Sequence, residues 1–529
     1  MNAQPGMYSG WTRIITWAWP AALLIVVALV ALQIAGSPSP ARAAAAHASE
    51  ADIGRIDTFV SEQVQRHGIP GVSLGLVEGD QIIHLHGFGK ADQSGRAVTP
   101  QTPFDLASVS KPMTALAVMQ LVEAGKVELD APVQRYLPAF RLADPVASAQ
   151  ITVRQLLQHT SGIPVTSCDT DANATTLEQY VAELQTVQLA HPVGARYDYC
   201  SGNYNVLGRI IESVSGHSYS DYIQQHVFAP LDMRHSFTSE EAALRDGMAQ
   251  QYQWLFGLTV VSPSHYTPSQ LPSGYLMASA EDMCHFLVAQ LNGGRYGAAS
   301  ILSAQGIAAM QAQGVPTGAT GETYGLGLLT GAIGGVPIIH HDGADPGVRT
   351  FLFIEPQNRR GVVLLFNSFG LLPDSAFTEI ETGVARLVAG QEPGPASSLS
   401  LPTLYLIVDA VLAALLALAL SPLLRLRRWG QRLRLNEQVG RPWRLRVGLR
   451  LGWEFSVPVA VLVTVRLALS VLGAQSWYEG LTLLPDFVAW LWTIALVVLL
   501  TGVLRGALVL GVLRRTADMR SVRISPSAG

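Results

Sequence analysis

The chain has 529 residues, of which 49% are hydrophobic and only 14% charged, which excludes a disordered protein and is atypical of a cytosolic enzyme. Its net charge of −4 divides unevenly, because residues 51–392 hold 32 acids and 18 bases (net −14) and residues 393–529 hold 6 acids and 15 bases (net +9). The acidic part argues against a nucleic-acid partner, and the bases of the second part lie beside apolar runs, which favours a membrane.

Residues 1–46 read as a targeting segment. Arg13 precedes an apolar run from about 14 to 35, and small residues follow, including Ala41-Arg42-Ala43. A cleaved signal peptide and an uncleaved membrane anchor both fit this pattern. Either one exports the residues that follow it.

Residues 51–392 carry the signals of a mixed globular domain. In chain order these are strands at Val72–Val77 and Ile82–Leu85 around a Gly79-Asp80 turn, helices at Pro112–Ala124 and Tyr204–Ser213 ended by Gly125 and Gly216, and strands at Thr350–Ile354 and Gly361–Phe366. We therefore expect an α+β domain with strands at both chain ends and helices between them.

The sequence Ser108-Val109-Ser110-Lys111 lies where a strand-like run gives way to a helix predicted to be amphipathic. A serine hydroxyl becomes a good nucleophile only when a base takes its proton. Residues three apart on a helix share a face, so the Lys111 amine is placed to reach the Ser108 hydroxyl. The chain has only three lysines, which makes a lysine in this motif less easily ascribed to chance. Ser108 is therefore the candidate nucleophile.

A linker rich in Pro, Gly and Ser at residues 393–402 leads into three predicted transmembrane helices within residues 403–513. Their apolar runs, at about 404–424, 455–473 and 487–504, can each cross a bilayer of roughly 30 Å. The loop 425–451 carries nine arginines and the tail 514–529 carries four. The positive-inside rule makes this loop and tail cytoplasmic and puts residues 51–392 outside the membrane. Arg466, inside the second span, either snorkels, pairs with a neighbouring helix or has a function of its own.

The region around Ser108 resembles the nucleophile motif of the serine β-lactamase and penicillin-binding-protein superfamily, and in particular its class C β-lactamase-like branch. That branch includes D-Ala-D-Ala carboxypeptidases, D-aminopeptidases and esterases. The resemblance extends over about residues 55–392, through segments in family order: Gly71–Lys90, Phe104–Leu121, Ile151–Pro164, Tyr197–Gly216, Val227–Met233 and His340–Val348. It implies an antiparallel sheet flanked by helices with an all-helical subdomain.

The family's second motif, Tyr-x-Asn, corresponds to Tyr199-Cys200-Ser201. The resemblance implies that Tyr199 moves protons to and from Ser108 together with Lys111, as a phenolate held between cations. Ser201 replaces the family's Asn. Its hydroxyl can still hydrogen-bond Lys111 or a substrate, but it is shorter than an amide.

The family's third motif, Lys-Thr-Gly, corresponds to His341-Asp342-Gly343. By resemblance, His341 positions an anionic or polar substrate group or assists proton transfer near neutral pH. Gly343 lets a substrate approach the strand, and the N–H of Ala344 joins that of Ser108 as an oxyanion donor. The loss of the motif's lysine weakens the expectation of β-lactam hydrolysis.

Other conspicuous residues receive structural interpretations. His340 is expected on the opposite strand face from His341, and His159 is expected to stabilise a turn. His84 and His86 share one strand face, but without a nearby carboxylate in the sequence they are read as surface residues and not as metal ligands. Cys168 and Cys200 are a candidate disulfide in an exported domain, and both thiols free is the alternative.

The sequence thus favours a membrane-anchored serine hydrolase that forms an acyl-enzyme on a small acyl substrate. Cell-wall D-amino-acid peptides and esters are favoured over β-lactams, and neither a metal nor an organic cofactor is expected. A penicillin-binding-type sensor that acylates without turnover is the alternative, and a transporter-like protein with an inert exported domain is the third reading. The sequence leaves the oligomeric state open.

Overall fold

The computed structural model describes residues 50–165, 174–264, 266–370, 374–395, 399–438, 443–471 and 485–523. The targeting segment and Cys168 lie outside these residues. The cleavage of that segment and the disulfide between Cys168 and Cys200 therefore stay predictions.

Sixteen helices occur in the described residues: α1 Glu50–His67, α2 Ser110–Glu123, α3 Pro145–Ser148, α4 Val153–Leu157, α5 Leu177–Glu183, α6 Gly202–Ser215, α7 Tyr219–Ile223, α8 Glu240–Arg245, α9 Leu271–Gly274, α10 Ala280–Leu291, α11 Ala304–Gln311, α12 Asp374–Val388, α13 Leu401–Leu424, α14 Leu426–Gln438, α15 Arg444–Val471 and α16 Pro485–Arg523. Short 3-10 turns occupy Ala107–Val109, Val133–Arg135, Leu184–Thr186 and Pro268–Gln270, and a π turn occupies Gln224–Phe228.

The strands are β1 Gly71–Glu78, β2 Gln81–Gly89, β3 Phe104–Asp105, β4 Tyr252–Leu255, β5 Leu258–Val261, β6 Met277–Ala278, β7 Arg295–Tyr296, β8 Ala299–Ser300, β9 Val315–Pro316, β10 Thr323–Tyr324, β11 Leu329–Ile333, β12 Val336–Asp345, β13 Val348–Glu355 and β14 Arg360–Phe366. Eight of them form one antiparallel sheet in the order β2-β1-β14-β13-β12-β11-β10-β9. The first and last strands of the domain therefore meet at β1 and β14, and the predicted α+β class is confirmed.

Helices cover both faces of this sheet. Side chains alternate between the faces of a strand, so neighbouring residues of β14 point in opposite directions. Val363 and Leu365 belong to the core that contains Cys284 of α10. Phe366 instead packs on Phe377 of α12, with ring centroids 5.1 Å apart. The central strands β1, β13 and β14 are therefore buried on both faces.

The predicted helix after Ser108 is present as α2, but it is not amphipathic. Eleven of its fourteen residues are buried, and Gln120, Val122 and Glu123 at its C-terminal end are the ones that are not. A helix that is apolar on all sides lies inside a core and not on its surface. α2 packs against α6, whose predicted end at Gly216 is confirmed by a left-handed cap with φ of +78°.

The three predicted membrane spans are present as helices long and apolar enough to cross a bilayer, at Leu401–Leu424, Arg444–Leu467 and Asp486–Thr516. The second and third extend past the apolar runs seen in the sequence. They thereby include Glu454 and Arg505, which form a buried ion pair between α15 and α16. Pairing removes much of the penalty of placing either charge in an apolar environment.

Candidate active site

Ser108 lies in a tight turn between β3 and α2. It is partly exposed, whereas every other residue from Thr102 to Met119 is buried. Ala107 has a positive φ of +44°, which is unfavourable for a residue with a Cβ. The carboxylate of Asp105 accepts a hydrogen bond from the Ala107 N–H at 2.8 Å and so holds the turn in place. The strained turn presents the Ser108 hydroxyl at the surface of an otherwise closed core.

Two predicted partners reach the Ser108 hydroxyl. The Lys111 Nζ lies 2.9 Å from Ser108 Oγ, and the Tyr199 hydroxyl lies 2.9 Å from the same atom. Lys111 comes from the first turn of α2 and Tyr199 from the loop just before α6. The packing of α2 on α6 therefore brings together residues that are 91 positions apart in the sequence.

The side-chain amino group of Lys111 is fixed from several sides. It donates to the Ser201 hydroxyl at 3.1 Å and to the Ser273 carbonyl of α9 at 2.7 Å. It also lies 4.8 Å from the centre of the Tyr199 ring. The structure thus places Ser201 on Lys111, which is one of the two contacts expected of it.

The environment of Tyr199 keeps its phenol neutral. Burial is the largest influence and raises the pKa of the Tyr199 hydroxyl well above its ordinary value, although the hydrogen bond to Ser108 opposes this. The His159 ring packs 4.4 Å from the Tyr199 ring, and its Nδ1 accepts a hydrogen bond from the Cys200 N–H at 3.1 Å. The phenolate that the sequence suggested is therefore disfavoured, and His159 supports the loop as expected.

Gly343 brings strand β12 into direct contact with the nucleophile turn. A Cβ added at Gly343 would lie 2.6 Å from the Leu106 carbonyl oxygen and 2.9 Å from the Ser108 nitrogen. The Thr350 hydroxyl of β13 donates to the same Leu106 carbonyl at 2.7 Å. Only glycine allows this approach, because any side chain would occupy the space of the turn. Ala344 follows on the strand and is exposed.

His341 lies on β12, next to Gly343, and its ring is enclosed by the protein. It is 1% exposed, and burial lowers the pKa of its imidazole to about 4. Its Nδ1 donates to the carbonyl of Asp342 at 2.7 Å, so its Nε2 is the acceptor for the Tyr324 hydroxyl at 3.0 Å. Both ring nitrogens therefore contact protein groups, and the lowered pKa favours the neutral ring. A role of His341 in positioning a substrate stays a prediction.

Three residues contribute to this site although the sequence analysis assigns them no role. The sequence around Asp105 indicates only a short strand. Tyr324 lies on β10 among glycines and is buried against His341 and His159. Ser273 contributes its backbone carbonyl, which no side-chain pattern reveals. A buried tyrosine between glycines was a weak signal for the second, and nothing in the sequence marked the third.

The structure agrees with the interpretation of His340 and corrects that of His84 and His86. His340 points away from His341 and lies 3.7 Å from Glu322, as its structural interpretation expected. His84 and His86, however, do have a carboxylate beside them. Helix α1 places Asp57 within 2.8 Å of His84 Nε2 and 2.9 Å of His86 Nδ1. That contact spans about thirty residues of sequence and could not be read from local spacing.

Sequence comparison shows what this chain is similar to. A family model described as "Beta-lactamase" matches residues 56–384. "Protein flp" of Staphylococcus aureus (strain MW2) is 29% identical over 318 residues, which cover 59% of this chain and 62% of that protein. "Penicillin-binding protein 4" of Amycolatopsis lactamdurans is 33% identical over 338 residues, which cover 61% of this chain and 87% of that protein. The chain therefore spans less than two thirds of the length of the flp protein.

Solved structures show the same similarity. An octameric penicillin-binding protein homologue from Pyrococcus abyssi superposes with a TM-score of 0.57 at 28% identity, over 65% of this chain and 78% of that one. A penicillin-binding protein from Bacillus halodurans superposes with a TM-score of 0.52 at 25% identity, over 62% of this chain and 98% of that one.

Proposed function

Since this chain belongs to the β-lactamase family, which also holds the penicillin-binding proteins, we propose that it is a membrane-anchored serine hydrolase with Ser108 as its nucleophile. The observation that carries the proposal is the convergence of Lys111 Nζ and the Tyr199 hydroxyl on Ser108 Oγ, each at 2.9 Å. A nucleophile with two proton-transfer partners in hydrogen-bond reach is the arrangement that covalent acyl transfer requires.

In the proposed acylation, Ser108 Oγ forms a bond to the substrate carbonyl carbon as its proton passes to Lys111. The neutral Tyr199 phenol donates its proton to the departing amine or alcohol and recovers one from Lys111. The N–H groups of Ser108 and Ala344 stabilise the oxyanion of the tetrahedral intermediate. A water molecule then attacks the ester carbonyl, and the same groups return the proton to Ser108 as the acid product leaves.

The third motif supports a peptide or an ester as the substrate over a β-lactam. Where the family pattern has a lysine, this chain has a buried, neutral His341 whose two nitrogens are already hydrogen-bonded. A charged ammonium group at this place would attract a free carboxylate, such as that of a β-lactam, and a neutral imidazole does not. The terminal carboxylate of a D-Ala-D-Ala peptide would lose the same attraction. We therefore propose a small ester, or a D-amino-acid peptide held by contacts other than its terminal carboxylate, as the substrate class.

The test is covalent labelling of the full-length chain with a fluorophosphonate. We expect the wild type to label on Ser108, as located by peptide mass mapping, and Ser108→Ala not to label. Ser110→Ala is the matched control two residues away. Its hydroxyl accepts from the Leu276 N–H at 3.0 Å, so its loss affects stability and leaves the nucleophile in place. Equal labelling of wild type and Ser108→Ala would refute the mechanism.

Turnover separates the hydrolase from the sensor. A panel of D-Ala-D-Ala peptides, p-nitrophenyl esters and nitrocefin is offered to the wild type and to Ser108→Ala. A hydrolase releases many product molecules per chain from a peptide or an ester. A single stoichiometric burst followed by a stable acyl-enzyme would instead identify a binding protein.

We also propose that residues 51–392 lie outside the membrane, with the Arg-rich loop 425–451 in the cytoplasm. The proposal rests on the distribution of arginines around the three apolar helices. A membrane-impermeant maleimide tests it on intact cells. Gln65→Cys, on an exposed position of α1, should react before lysis, and Gln431→Cys, on an exposed position of α14, should react only after lysis. If Gln431→Cys reacted before lysis and Gln65→Cys only after it, the topology would be the opposite of the one proposed.

A further inference from the structure

The hairpin at the edge of the large sheet carries a cluster of ligand-type side chains that the proposed chemistry does not use. His84 and His86 are two residues apart on β2, so both project from the same face of the strand. Asp57 of α1 faces them, with one carboxylate oxygen on each ring. One ligand atom from each residue lies within 4.8 Å of the other two. We propose that Asp57, His84 and His86 form a binding site for a divalent transition-metal ion of the zinc class.

The donor set selects the class of ion. Two imidazole nitrogens with one carboxylate oxygen suit zinc, copper, nickel and cobalt, whereas calcium and magnesium prefer oxygen ligands alone. Three protein ligands leave one tetrahedral position of zinc for water. Two bonds of about 2.1 Å in a tetrahedral site place their donors some 3.4 Å apart. The Asp57 oxygens, now 2.8 and 2.9 Å from the imidazole nitrogens, must therefore move slightly away from them, while the wider separations in the cluster, which are within 4.8 Å, close.

The surroundings of the three side chains favour a preorganised and accessible site. The His86 ring stacks on Phe88 with centroids 4.3 Å apart and planes 8° apart, which limits its rotation. Asp57 and His84 side chains are 24% and 19% exposed, and that of His86 is 44% exposed. The ligands are thus held by packing on one side and open to water on the other, which gives an ion an entry path.

This site is separate from Ser108 and independent of the proposed hydrolase chemistry. β2 lies four strand positions from β12 in the sheet, which corresponds to about 19 Å at roughly 4.8 Å per strand. A bound ion would join α1 to the edge strand β2. It would therefore act on the stability of the N-terminal part of the domain, not as a participant in acyl transfer.

The test is metal binding by the full-length chain in detergent micelles, prepared without a histidine tag and treated with a chelator. We expect calorimetry to find one Zn²⁺ per chain and Co²⁺ to give the visible absorption of a tetrahedral complex. His84→Gln, His86→Gln and the nearly isosteric Asp57→Asn should each weaken binding by at least about tenfold, because loss of even a ligand's supporting partner costs about 10–100-fold. Zn²⁺ should also raise the melting temperature of the wild type and not of these variants.

The matched control is His235→Gln. His235 and Asp246 form a contact of 2.7 Å with 35% and 34% exposed side chains, so they reproduce one half of the cluster without a second histidine. Zn²⁺ binding should be unchanged in this variant. Absence of Zn²⁺ and Co²⁺ binding by the wild type, or equal binding by wild type and all three ligand variants, would overturn the proposal and would leave the labelling of Ser108 unaffected.

Discussion

Substitution of Gly343 by alanine tests the contact between β12 and the nucleophile turn. The new Cβ would lie 2.9 Å from the Ser108 nitrogen, 2.6 Å from the Leu106 carbonyl oxygen and 2.3 Å from the Thr350 hydroxyl oxygen. Ordinary Cβ contacts begin at 3.4 Å, so the first two atoms must retreat by about 0.5 and 0.8 Å. Both are backbone atoms, and Thr350 is itself bonded to Leu106, so no flexible side chain can absorb the change.

A displacement of this size should act on activity more than on folding. A misplacement of about 1 Å at a reacting group costs on the order of 100-fold in rate. Overpacking of this kind costs only about 1–3 kcal/mol of stability, which a domain with this core tolerates. We therefore expect Gly343→Ala to lower the rate of labelling by fluorophosphonate by about 100-fold while the protein remains folded.

The measurement is the second-order labelling rate together with the melting temperature. Gly331→Ala is the matched control, because it adds the same methyl group to the neighbouring strand β11, where the nearest atom lies 3.5 Å away in the Glu322 side chain. It should label at the wild-type rate. A Gly343→Ala protein that also labels at the wild-type rate would show that β12 does not constrain the nucleophile turn, and the reasoning would fail.

Three further predictions concern Tyr199, Asp345 and the buried ion pair of Arg349 with Glu381. Tyr199→Phe keeps the ring packing and loses the hydroxyl, so labelling should slow by about 10²–10⁴-fold with an unchanged melting temperature, and a wild-type rate would remove Tyr199 from proton transfer. Burial raises the pKa of Asp345 from 3.8 to about 7, so the folded state holds an extra proton between these values and stability should fall as the pH rises through that window. Asp345→Asn should flatten this slope in melting curves recorded across pH, and an unchanged slope would refute the assignment. Glu381→Gln removes the carboxylate closest to the buried Arg349, at 2.7 Å, and should lower the free energy of unfolding by about 3 kcal/mol. The exposed Glu392→Gln should lower it by less than about 1 kcal/mol, and equal melting temperatures of the two variants would contradict this difference.

The sequence was sufficient for features that depend on local spacing or on average composition. The helical offset of three residues determines that Lys111 can reach Ser108, wherever the helix lies in the fold. The β1–β2 and β13–β14 hairpins and the three apolar helices could likewise be predicted, because each depends on the hydrophobicity pattern of one continuous segment.

The properties of individual side chains were decided by tertiary structure. The sequence suggests that His341 titrates near neutral pH. In the fold its ring lies between the Asp342 carbonyl and the Tyr324 hydroxyl, and desolvation lowers its pKa to about 4. α2 looked amphipathic and is buried on almost every side. A pKa and an exposed face depend on what packs around a residue, and those neighbours come from distant parts of the chain.

The same reason explains the cluster at the sheet edge. The sequence does not reveal that Asp57 faces His84 and His86, because it lies 27 and 29 residues away from them along the chain. The packing of α1 on β2 brings its carboxylate to them. The sequence by itself therefore determined which residues carry the candidate chemistry of Ser108 and how they are spaced. Only the folded chain decided which groups are charged, which are neutral and which distant side chains meet, since burial and long-range contact exist only after folding.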